Sequence, residues 1–189
     1  MIRKFGGSSG IDSQPAGIDL GIGGSNIKSK QSGTVDIAGL TTKDITISAV
    51  DLSKSIVRVV FGGNAQAGML NSVLVSAWFI NSTTIRVYRY TSSSDTTQPI
   101  YWEVVEFNNV KSKQTGELIC AAPTTDITIS PVNLSKTMLF YYLWSQSTGY
   151  FINNARLGGY LTSQTNLQFS GYAPQNNYIV ADWQLLEFN

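Results

Sequence analysis

The chain of 189 residues contains no histidine. That absence removes Ser–His triads, Cys–His dyads and most zinc sites. A single cysteine, Cys120, allows no intrachain disulfide, so packing alone must hold the core. One lone thiol fits a reducing compartment. Charged residues make up only 13% of the chain, about half the usual share, and the net charge is +1. Basic residues cluster no further than Arg3-Lys4 and the spaced pairs Lys28/Lys30 and Lys111/Lys113. Binding driven by counterion release needs a denser patch, so no nucleic-acid partner is expected. No run approaches the roughly 18 apolar residues of a membrane helix, and no membrane insertion is expected. The opening MIRKFGGSSG lacks the apolar stretch of a signal peptide, which points to synthesis in a cytoplasm.

The apolar share, 42%, is ordinary for a folded protein. Ser, Thr, Asn, Gln and Tyr therefore supply much of the polar surface, a composition suited to β-structure. The dominant feature is an internal repeat. From Ile27 the chain reads IKSKQSGTVDIAGLTTKDITISAVDLSKS, and from Val110 it reads VKSKQTGELICAAPTTDITISPVNLSKT. The two differ in length by one residue, Lys43. Farther on, YWEVVEFN at Tyr101 to Asn108 matches DWQLLEFN at Asp182 to Asn189. Matches at both ends, in the same order, define two copies, residues 27–109 and 110–189, with no linker between them. The second closing motif ends at Asn189, so no tail is expected after the final strand.

The periodicity is two. Ile45 and Ile47 alternate with Asp44, Thr46 and Ser48. Ile85 and Val87, and with them Arg89, alternate against Arg86, Tyr88 and Tyr90; Leu167 and Phe169 do the same in the second copy. Ile56 to Phe61 and Val73 to Phe79 read as strands covered on both faces. Turn-forming clusters separate these runs, and only Asp51 to Ser55 and its counterpart Asn133 to Thr137 suggest a helical turn. Each copy has room for six to seven strands at the usual spacing of roughly 8–12 residues. The expected fold is all-β: two tandem antiparallel β-sandwich domains, small enough that they should pack on each other.

Residues 1–26 form a Gly-rich arm, expected to be extended. Ile18, Leu20 and Ile22 alternate with glycines and Asp19, a pattern that suits addition as a strand to a neighbour's sheet edge. A disordered leader, or a first strand on its own domain, is the competing reading. Gly21-Ile22-Gly23-Gly24 lacks the Lys-Ser/Thr ending of a phosphate loop.

Few residues carry chemistry. Cys120 aligns with Ile37 and reads as a small core side chain. The carboxylates repeated in both copies are Asp44/Asp126 and Glu106/Glu187. The first pair suits Asx-type bonds to the backbone, the second a structural carboxylate bonded to a Lys of the KSKQ strand. The acidic residues show no metal-loop spacing, and no catalytic residue, metal ligand or cofactor is assigned. The second copy is richer in aromatics. Trp102, Trp183, Phe107 and Phe188 repeat and read as packing residues. Tyr141 and Tyr142 face opposite sides of a strand, so one should point outward. Tyr150, Tyr172 and Tyr178, in or near loops, are candidates for a surface that binds a partner or a sugar.

The opening IKSKQ-S/T-G strand, the T-x-DITIS-x-V-x-LSK segment and the closing WEVVEF resemble a small β domain of tailed-phage virion proteins. The resemblance covers residues 27–189 and not the arm. It implies a structural, non-enzymatic role in a virion, as a tail, fibre or capsid-decoration protein made in the host cytoplasm. Its implied partners are major capsid or tail proteins and further copies of itself, a trimer being favoured. A tail-fibre module that binds a receptor or a host surface glycan is the alternative. The second copy departs from the pattern with Gln184 and with Leu185-Leu186.

Overall fold

The computed structural model describes residues 26–62, 74–89, 99–120, 124–145, 156–172 and 179–189. Among them the chain is all-β, with twelve strands and a single one-turn 3-10 helix at Leu134–Lys136. The first copy supplies β1 (Ile27–Asp36), β2 (Thr42–Thr46), β3 (Ser55–Phe61), β4 (Val75–Asn81), β5 (Thr84–Arg89) and β6 (Pro99–Phe107). The second supplies β7 (Val110–Cys120), β8 (Thr124–Thr128), β9 (Thr137–Ser145), β10 (Arg156–Ser163), β11 (Asn166–Tyr172) and β12 (Ile179–Phe188). Both copies build the same two antiparallel sheets, β1-β6-β3 with β2-β5-β4, and β7-β12-β9 with β8-β11-β10.

Alternation puts one face of each sheet inside. Val57, Val59, Ile100 and Val104 of one sheet meet Val75, Ala77, Ile85 and Val87 of the other in the first core. Cys120, Leu167, Phe169, Trp183 and Leu185 form the second. Cys120 is fully buried, and burial pushes its thiol up to about 11, which suits a packing role. Arg89 continues the inward pattern and is itself buried; its guanidinium donates to the carbonyls of Leu40 and Ile37, each at 2.8 Å.

The repeated motifs have local causes. In β1 the register shifts at Lys28, and in β7 at Lys111, the same β-bulge in both copies. A bulge re-aims side chains that would otherwise alternate. Lys28 and Ser29 therefore both reach Glu106, which also accepts from the Asp51 amide. Lys111, Ser112 and the Asn133 amide bond Glu187 in the same way. The sequence-based expectation for this pair holds. The glycine that follows KSKQ is also explained: a Cβ at Gly33 would lie 2.7 Å from the Trp102 ring, and one at Gly116 the same distance from Trp183.

Two expectations need correction. Asp44 and Asp126 do not bond the backbone. Asp44 faces Arg86 across the β2–β5 pair and takes a bidentate bond at 2.6 and 2.8 Å, while Asp126 accepts from Asn166 and Gln168. Asp51 and Asn133 take the Asx role, each bonding the amide two residues on. Nor are β3 and β4 covered on both faces. Arg58, Val60 and Trp78 are exposed, because the sheets are only two deep within each copy. The helical turn appears at Leu134–Lys136; its counterpart, residues 52–54, is a hydrogen-bonded turn.

Candidate functional site at the junction of the two copies

The residues singled out from sequence fall largely outside the described region. Ile18, Leu20, Ile22, Tyr150 and Tyr178 lie beyond it, and Tyr172 ends β11 with its side chain likewise outside the description. The structure neither joins nor separates them. What it does place is the junction between the copies.

The outward face of the β7-β12-β9 sheet packs against the β3/β4 side of the first copy. Both β3 and β4 are edge strands. An open edge exposes backbone donors and acceptors that must be satisfied. Gln184 of β12 satisfies one residue of that edge completely: its amide donates to the Val57 carbonyl at 3.1 Å and accepts from the Val57 amide at 3.4 Å. A primary amide carries both functions, as a neighbouring strand would. The same device ties the sheets within each copy, where Gln31 brackets Ser48 and Gln114 brackets Ser130. The Tyr142 hydroxyl also donates to Val57 O, at 3.1 Å, and its ring packs against the first copy's core. Tyr142 is thus the outward one of the Tyr141/Tyr142 pair, but the first copy covers it.

Lys113 donates to Leu52 O at 3.0 Å and Ser55 O at 2.5 Å, and sits 5.1 Å from the centre of the Phe79 ring. Burial pushes its ammonium down to about 8, with the charge of Asp51 pulling the other way. Asp182 accepts from Ser76 across the junction and from Trp144 Nε1 at 2.9 Å; burial raises its carboxyl above the ordinary value and these two bonds oppose the rise. At the far end Ile56, Val105 and Phe107 meet Leu186 and Phe188, with Phe107 and Phe188 in an edge-to-face contact at 5.4 Å. Burying each such ring stabilises by about 1.5–3 kcal/mol.

A cleft of about 830 Å³ opens beside these contacts. Trp78, Tyr88 and Trp144 form its aromatic wall, Trp144 edge-on to Tyr88 at 5.0 Å. Lys113, Glu117, Asp182 and Gln184 supply polar groups. Trp183 also lines it, and its buried Nε1 has no hydrogen-bond partner among the described residues. Among those residues no group of three or more Cys, Asp or Glu side chains is placed to hold a metal.

Comparison with known proteins assigns no family. No family model matches the chain, and no curated protein or solved structure shows significant similarity to it.

The signal for the junction was present in the sequence as differences between copies at outward positions. Asp182, Gln184, Phe140, Tyr142 and Trp144 stand where the first copy has Tyr101, Glu103, Arg58, Val60 and Gly62. The first copy's face is accordingly open. Val60 is 60% exposed and Tyr101 is 53% exposed, and Glu103 pairs with Lys30 and Arg58 of its own sheet.

Proposed function

We propose that the chain is a non-enzymatic structural protein of a phage virion, associated with capsid or tail, that works by assembling with other copies and with other virion proteins. One observation carries this reading: the chain's most elaborate polar and aromatic contacts join one copy of the domain to the next. The repeated carboxylates support it, since Glu106 and Glu187 are engaged in tying strands together. The arm of residues 1–26, with Ile18, Leu20 and Ile22, belongs to the same reading as a latch on a neighbour. The test is composition. Particles purified from lysed host cells should contain the chain at a fixed copy number, and particles made with residues 1–26 deleted should lose it while the domains stay folded. Particles that lack the full-length chain would overturn the assignment.

The cleft favours a second reading, a glycan- or receptor-binding tail-fibre module. Aromatic faces beside amide and carboxylate groups suit a sugar ring and its hydroxyls. Replacing Trp78 by Ala should abolish binding to host-surface polysaccharide if this holds. Binding lost instead on replacing Tyr150, Tyr172 and Tyr178 would move the site to the loops.

A further inference from the structure

We infer that the open face of the first copy is the docking site for the β9/β10 edge of a second molecule of this chain, in a repeat of the internal junction. The inference rests on the assembly reading and names its partner.

The internal junction is heterologous: it joins an edge to a face. A two-fold relation would mirror every contact. It does not. Lys113 caps the carbonyls of Leu52 and Ser55, whereas its counterpart Lys30 binds Glu103. Tyr142 is covered, whereas its counterpart Val60 is 60% exposed. A heterologous contact always leaves one unused half at each end of the pair. Here those halves are the first copy's β1-β6-β3 face and the second copy's β9/β10 edge.

Both halves carry signs of being unfilled. Val57 and Val59 on the covered edge are 0% and 5% exposed. Their counterparts Leu139 and Tyr141 on the free edge are only partly buried. Leu134 and Tyr160 lie on the same edge and are 45% and 46% exposed, against 39% and 38% for their counterparts Leu52 and Trp78 beside the cleft.

Some residue changes on the two halves compensate, while Glu103 and Val60, in place of Gln184 and Tyr142, leave the bonds to the edge-strand carbonyl out of the repeat. Inside the chain Ser76 meets Asp182; between chains the corresponding pair is Gly158 and Tyr101, small against large. Inside, Tyr88 meets Trp144; between chains the pair is Ser170 and Gly62. The Tyr101 ring lies directly over Gly62, where any Cβ would collide with it, so the face keeps an aromatic lid supplied from the adjacent strand.

Equivalent residues touch each other where Phe107 meets Phe188 and where Asn109 donates to Asn26 at 3.4 Å. Points that lie close to their own rotated images lie near the rotation axis. Repeating the step about that axis brings each new copy's Phe to the same place, and the assembly closes as a ring where the rotation closes.

The test uses the full chain and two variants at exposed positions, which leave the cores intact. One blocks the face (Val60→Glu with Tyr101→Glu) and the other blocks the edge (Leu134→Glu with Tyr160→Glu). The wild type should be an oligomer by light scattering or native mass spectrometry. Each variant alone should be monomeric, with an unchanged circular dichroism spectrum. An equimolar mixture of the two should form a one-to-one dimer, because one good edge and one good face remain. Variants that stay oligomeric alone, or a mixture that stays monomeric, would overturn the inference. So would a monomeric wild type, and if that monomer were still found in particles, the virion reading would stand without this contact.

Discussion

The same outward sheet face occurs twice in this molecule, once covered and once open. On the covered face β12 presents Asp182, Gln184, Leu186 and Phe188, and β9 presents Phe140, Tyr142 and Trp144. On the open face the matching positions hold Tyr101, Glu103, Arg58, Val60 and Gly62, while Val105 and Phe107, which match Leu186 and Phe188, are buried in the cluster the two copies share. Inward positions tell the opposite story: the Lys–Glu bond is 2.8 Å in both copies, and the Gly–Trp stack repeats to the same distance. Packing inside a sandwich constrains a residue whichever copy it occupies. A surface is constrained only by what it meets, so divergence between copies reports the junction.

The comparison predicts that substitutions at paired inner positions cost equal amounts and those at paired outer positions cost unequal amounts. The largest effect belongs to Phe188→Ala. It empties the contact with Phe107 and should cost about 3–5 kcal/mol. It should also broaden unfolding by denaturant or move it toward two transitions, because the copies lose one of the contacts that couple them. A single transition with an unchanged midpoint would mean that the copies are coupled elsewhere. Gly33→Ala and Gly116→Ala come next. Each forces a Cβ into a Trp ring, an overpacking that costs about 1–3 kcal/mol, and the two should agree within error in thermal melts.

The all-β class, the duplication and the strand number were legible because alternation and turn chemistry are local. The Glu106/Glu187 staple was legible in partner type from its repetition, but its geometry depends on a bulge that no local signal marks. Asp44 was misread because an Asp before a strand offers two partners, its own backbone and the opposite strand. Only the register, which places Arg86 across from it, decides between them. Alternation put one of Tyr141 and Tyr142 outward without deciding which, and the structure makes it Tyr142. That outward did not mean exposed depended on the other copy's position, which one copy's periodicity cannot supply. Gln184 was noticed only as a departure from a motif. Its role follows from lying opposite the free Val57 edge, a contact between residues 127 apart in the chain.

Gln184 gives the next smaller effect. Gln184→Ala would strand the Val57 N–H at a buried edge, at a cost of about 1–3 kcal/mol. The matched change Glu103→Ala removes only half-exposed ion pairs and should cost within about 1 kcal/mol. Gln184→Glu is the sharper probe. It keeps the shape and the acceptor but loses the donor to Val57 O, and should be nearly as damaging as Ala. If Glu103→Ala proved equally costly in an isolated monomer, the covered and open faces would not differ as described.

Acidity separates the faces most finely. The Lys111 ammonium, the Asn133 amide and Ser112 hold the Glu187 carboxyl below its ordinary value. For Glu106, burial pushes up, but Lys28, the Asp51 amide and Ser29 outweigh it. Both carboxylates therefore contribute stability that is present above the unfolded value of roughly 4.3 and is lost as pH falls through their folded values. Asp182 carries the opposite sign. Its folded value is raised by burial at the junction, so the folded chain holds that proton longer than the unfolded one. Its contribution is full below the unfolded value of roughly 3.9 and is lost as pH rises through the folded value. Asp182→Asn keeps an oxygen able to accept from Ser76 and Trp144 but cannot ionise. Relative to wild type, the variant should gain stability as pH rises through the folded value of Asp182, with a difference that levels off above it. Denaturant midpoints measured every half unit of pH would read this directly. A difference independent of pH would mean that Asp182 is as well solvated as Tyr101, its counterpart on the open face, and that water reaches the junction.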